Sequence, residues 1–146
     1  MPSLFPFDAV GIYNKEKFIR LGGFDTSLSS SFWQLMDFGF RAHLWGEAIV
    51  STQLVKVVYD GDVPAGDATI EASHKRFYLK NLAPVFGGDS AHLPWRRFLP
   101  YLFRANTGPL EARDEFKAAR DWVATNRYRF SCDARTVLEL WETPES

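Results

Sequence analysis

Between residues 32 and 45 nearly every position is apolar, and the exceptions are ordered: Gln34, Asp37 and Arg41 stand at i, i+3 and i+7. A helix places these three on one stripe and buries the rest of its circumference. A serine run at 29–31 can cap its start, and Gly46 ends it. One wet line on a dry cylinder can face solvent, a partner segment or a ligand cleft.

The remaining pattern is a series of short elements. Residues 8–13 (DAVGIY) read as a strand, and 15–21 (KEKFIRL) as a two-turn helix stopped by Gly22 and Gly23. Residues 48–59 (AIVSTQLVKVVY) are rich in β-branched side chains and predict one or two strands, closed at Asp60-Gly61-Asp62. An amphipathic helix follows over 69–82, broken by 84–88, and two short helical turns over 94–104 carry Pro100 inside. Pro109 suits the first position of a helix over 109–125, whose Ala112, Phe116, Ala119 and Val123 share one face. A last helix is expected over 134–141. The sum is an α/β chain, α+β in this piece, with a small mixed sheet packed by several helices. Two parts are expected, 1–68 and a helical extension over 69–146 packed on it.

Composition narrows the function. The chain has 146 residues, 46% of them hydrophobic, so it can bury a core; 17 basic against 18 acidic residues gives no general attraction to nucleic acid. A single cysteine, Cys132, makes no internal disulfide, and His43, His74 and His92 are too far apart in sequence for zinc-ligand spacing. No apolar run approaches the roughly 20 residues that span a bilayer, and the first eight residues lack a basic n-region. These features predict a cytoplasmic chain. Its one concentrated basic and aromatic segment is 94–104, where Arg96, Arg97 and Arg104 alternate with Trp95, Phe98, Tyr101 and Phe103. That segment suits peripheral contact with a membrane surface or lipid-linked acceptor, or an ordinary amphipathic helix with snorkelling arginines.

The order strand, helix, Leu21-Gly22-Gly23-Phe24-Asp25, loop, buried helix with Asp37-Phe38-Gly39-Phe40-Arg41, then Gly46, resembles the second half of the catalytic domain of family 2 glycosyltransferases with the GT-A fold. In that family a Gly-Gly-Phe-Asp-Glu run precedes E-D-x-D-L-x-x-R. The resemblance covers residues 7–59, and 72–80 (ASHKRFYLK) is similar to the aromatic and basic stretch that often follows. It implies transfer of a sugar from a nucleotide sugar to a glycan or lipid-linked acceptor, as in cell-surface polysaccharide biosynthesis. For the full enzyme it implies a divalent cation, manganese or magnesium. By resemblance, Gly22, Gly23, Asp25, Gln34, Asp37 and Arg41 are acceptor-side residues, with Asp37 the one acid of the helix available as catalytic base.

Two departures qualify that transfer of roles. Gln34 and Leu35 occupy the positions of the family's Glu-Asp pair, and Thr26 stands where Glu is common. The nucleotide-binding half with its metal-binding D-x-D would precede residue 1, so nucleotide sugar is expected to bind only with that half. Asp60-Gly61-Asp62 spells D-x-D but follows the buried helix, which favours a turn, and no metal site is assigned. The competing expectation is a non-catalytic binding or packing module derived from such an enzyme. On that reading Asp37 and Arg41 form a plain i, i+4 pair, Asp25 is a turn residue, and Trp33 and Trp45 are core.

Overall fold

The computed structural model describes residues 1–6, 9–54, 56, 58–61 and 72–139. Asn14 opens the first helix, α1 (Lys15–Arg20), its Oδ1 accepting from the Lys17 N–H at 3.0 Å. The helix stops where Gly23 N–H bonds Phe18 O and Gly22 N–H bonds Ile19 O, a Schellman ending. Both glycines have positive φ, +83° and +64°, which a side chain would resist. The chain therefore leaves α1 in a fixed direction, carrying Phe24 and Asp25 toward the next helix.

That helix, α2 (Ser31–Leu44), is capped by Ser30 and is the predicted apolar cylinder. Trp33, Phe40 and Leu44 join the main core, while Phe38 and Ala42 join Leu21 in a second cluster beside Tyr13, Phe18 and Phe24. Gly39 allows the N-terminal segment to cross α2 at close range. A Cβ there would lie 2.3 Å from Leu4 O and 2.7 Å from Phe5 Cα, so no larger residue fits without movement.

Helix α3 (Ala72–Phe77) runs on into a π-turn (Tyr78–Leu82), then a hairpin of β1 (Val85–Gly87) and β2 (Ser90–His92). The two strands are antiparallel, pairing Val85 with His92 and Phe86 with Ala91. A 3-10 turn (Trp95–Arg97) leads into α4 (Phe98–Ala105), followed by α5 (Pro109–Asn126) and α6 (Ala134–Glu139). The predicted face of α5 is the one observed: Ala112, Phe116, Ala119 and Val123 are all buried. Phe116 is ringed by Trp95, Phe98 and Tyr101 at centroid distances of 5.2, 5.4 and 6.1 Å. One core unites residues from Leu28 to Val137, so the parts before and after residue 69 pack as a continuous interior.

The strands expected over 8–13 and 48–59 are corrected by the structure. Within 9–13 no strand forms, and among its described residues the second region contributes only an isolated bridge from Val50 to Pro2, with Ser3 N–H bonding Ile49 O at 2.8 Å. β-Branched composition makes a strand only where a neighbour completes the ladder, and here one crossing segment supplies a few bonds. The mixed sheet expected from them is thus replaced, among the described residues, by a two-stranded antiparallel sheet elsewhere. Asp60 and Gly61 form a bend; Asp62, residues 69–71 of the predicted helix and 140–141 of the last one lie outside the described residues.

Candidate functional site: a buried ion network

The polar stripe of α2 faces inward. Asp37 has 0% exposure and Arg41 4%, and the two are paired at 3.3 Å. A buried carboxylate needs charged and hydrogen-bonding partners to offset its lost hydration. They come from the π-turn. Lys80 Nζ lies 2.9 Å from Asp37 Oδ1, and Asn81 Nδ2 donates to the same oxygen at 2.8 Å.

Lys80 also joins Asp37 to Asp25. Its ammonium is 2.8 Å from Asp25 Oδ2 and sits 4.6 Å over the Trp122 ring, with only 2% of its side chain exposed. Arg76 approaches the same Asp25 oxygen at 3.3 Å from a more open position. The other Asp25 oxygen accepts from the Ser27 backbone N–H at 3.0 Å and from its hydroxyl at 2.5 Å, an Asx turn. Partial burial alone would raise the Asp25 carboxyl; the bonds from Lys80 and Ser27 and the Lys80 charge outweigh it and hold the group far below the usual carboxylate range.

Arg41 closes the network by donating from Nη2 to the carbonyl of Gly23. The glycine pair therefore sets a carbonyl as well as a chain direction. Of the six candidate residues, Gly23, Asp25, Asp37 and Arg41 come together, and Gly22 fixes the turn beside them. Gln34 is engaged elsewhere, donating to Leu28 O at 2.6 Å. Trp45 stacks on Trp122 at 6.1 Å with planes 16° apart, and Trp33 is buried against Phe77, so both rings pack against protein.

Sequence reading missed Lys80, Asn81, Arg76 and Ser27 as members of the network. A signal was present: Ser73, Phe77, Lys80 and Asn81 are spaced i, i+4, i+7 and i+8, so the inner face of that helix carries three polar groups beside one phenylalanine. Ser73 hydroxyl is 3.0 Å from that of Ser29, a further polar contact at the same interface.

One hollow borders the network and a second lies apart from it. A cavity of about 210 Å³ has Ser27, Arg76, Lys80, Tyr101, Glu115 and Trp122 in its wall. Tyr101 donates its hydroxyl to Glu115; burial first, then that hydrogen bond and the Glu115 charge, push the phenol well above its usual value, so it stays protonated. On the other side of α2 an open groove of about 620 Å³ runs past Tyr13, Phe18, Phe38 and Ile49 to the pair Lys17 and Glu47, 2.6 Å apart.

Among the described residues no three His, Cys, Asp or Glu side chains are grouped to hold a metal ion, and no helix is long and apolar enough to cross a membrane. His43 meets the Ser3 carbonyl at 2.8 Å, and His74 packs its ring on Trp33 at 4.8 Å, where burial lowers its pKa. No family model, curated protein or solved structure matches the chain.

Proposed function

We propose that this chain is the acceptor-side part of a glycosyltransferase domain of family 2 and the GT-A type, serving transfer of a sugar from a nucleotide sugar to a glycan or lipid-linked acceptor. The observation that supports it is the union of two motifs that the sequence keeps apart. Gly22-Gly23-Phe24-Asp25 and the Asp37-to-Arg41 pair are tied by the Arg41 bond to Gly23 O and by Lys80 lying between the two carboxylates. Sugar transfer needs a polar wall that fixes hydroxyl groups and offsets developing charge. The cavity beside the network is walled by serine hydroxyls, a tyrosine bonded to a carboxylate, the cations Lys75, Arg76 and Lys80, and an indole.

A second reading has its own support. Asp37 is enclosed and faces Lys80, Arg41 and Asn81, so it has no path to an acceptor hydroxyl proton. With Gln34 and Leu35 in place of the family's acidic pair, this favours a binding or packing module over a catalytic one.

The experiment is a glycan array probed with the chain and with Arg76→Ala, which changes a 45% exposed cavity residue. Glycan binding that drops at least about tenfold in the variant supports the acceptor role. A blank array with folded wild-type protein removes that role. Sugar transfer from a nucleotide sugar by the chain itself would restore a catalytic assignment.

A further inference from the structure

Helix α4 (Phe98–Ala105) has the sequence FLPYLFRA, apolar nearly all round, yet only one side of it is covered. At 100° per residue, Phe98, Tyr101, Leu102 and Ala105 fall on one side, and all four pack on the main core. Leu99, Pro100, Phe103 and Arg104 fall on the other. Leu99 is 60% exposed and Phe103 85%. A helix that is hydrophobic on both sides is ordinarily buried on both.

The rim of this face is basic. Arg96 and Arg97, in the 3-10 turn before the helix, and Arg104 in its last turn are exposed, and no carboxylate pairs with any of them among the described residues. Trp95, 46% exposed, stands at the same end, its ring held edge-on to Phe98 at 5.9 Å. Exposed Leu and Phe, a tryptophan at the edge and unpaired arginines on the rim are complementary to a surface that is apolar below and anionic above.

We propose that the outer face of α4 docks on an anionic lipid surface, with Leu99 and Phe103 entering the acyl boundary and Arg96, Arg97 and Arg104 at the phosphates. The helix lies in the plane of the interface, because α5 covers its opposite side and holds it parallel to the protein surface. Neither part suffices alone: two apolar side chains bind weakly, and three arginines without them are screened by salt. The inference is independent of the sugar-transfer reading, since it uses no residue of the ion network.

The test is partitioning of the chain onto vesicles of phosphatidylcholine with about one third phosphatidylglycerol, against pure phosphatidylcholine. Binding is expected to the anionic vesicles only, and to weaken as salt rises from about 0.05 to about 0.5 M. Leu99→Ser with Phe103→Ser should lower it tenfold or more, and each of Arg96→Gln, Arg97→Gln and Arg104→Gln roughly fivefold. Ile19→Ser, an exposed apolar change on α1, should leave it unchanged. Lipids brominated in the acyl chain should quench fluorescence in wild type, and Trp95→Phe, compared at equal bound fraction, should lose most of that quenching. Equal binding to neutral vesicles, no binding to anionic ones, or quenching that survives Trp95→Phe would overturn the proposal. So would self-association without lipid that Leu99→Ser with Phe103→Ser abolishes, which would assign the face to a second copy.

Discussion

Lys80 lies over the Trp122 ring inside the fold, while Arg96, Arg97 and Arg104 stand beside Trp95 and Phe103 on its outside. Both places gather basic side chains, and they are built oppositely. The interior cation has two carboxylates within 2.9 Å; the exterior ones have no carboxylate partner among the described residues. Removing an ion from water costs several kcal/mol, so a buried cation persists only with its charge answered at short range. An exposed arginine is answered by water and remains open to an outside anion. The interior cluster is thus committed to holding α1, α2 and the π-turn together, and the exterior cluster is uncommitted.

The sharpest way to break this contrast is to unpair the interior. Asp37→Ala leaves Lys80 and Arg41 buried with one carboxylate fewer, and should lower unfolding free energy by about 3–5 kcal/mol in urea denaturation. A loss under about 1 kcal/mol would place Lys80 in solvent and dissolve the distinction. Gly39→Ala asks whether α2 tolerates disturbance of any kind. It crowds Leu4 and Phe5 without touching a charge, and should cost about 1–3 kcal/mol by the same measurement.

Acid should sharpen it further. The folded-state pKa of Asp25 is depressed below its ordinary value of 3.8, so its contribution is fully present above that value and is lost as pH falls below it toward the folded pKa. Urea midpoints should therefore fall as pH drops below about 4, and Asp25→Asn should flatten that part of the profile. At the exterior the expected effect is smallest. Arg96→Gln, Arg104→Gln and Phe103→Ser should each change stability by no more than about 0.5 kcal/mol, because no intramolecular bond is lost.

The same contrast explains which parts were legible in the sequence. α5 was read correctly because Ala112, Phe116, Ala119 and Val123 repeat at one helical face, and the α2 cylinder because its apolar run is long. The hairpin escaped notice since three-residue strands are too short for alternation to register. Residues 9–13 and the described part of 48–59 point the other way, because β-branched composition there meets no neighbouring strand beyond the one bridge at Val50. Half of the network is legible as Gly23, Asp25, Asp37 and Arg41. Lys80 is not, because lysine is almost always at the surface and only its partners, distant in sequence, make its burial tolerable.

The π-turn imposes a rule of length on the chain. Ala83 N–H bonds Tyr78 O, five residues back, so this turn holds one residue more than an α-helical one. Tyr78, Leu79 and Leu82 can be exchanged within their volumes, but the spacing between Phe77 and the hairpin cannot change by a single residue without rotating everything beyond it by about 100° relative to the helix. Lys80 and Asn81 would leave their carboxylate together. Insertions and deletions are barred from this stretch even though, on the page of the sequence, it looks like the frayed end of an ordinary amphipathic helix.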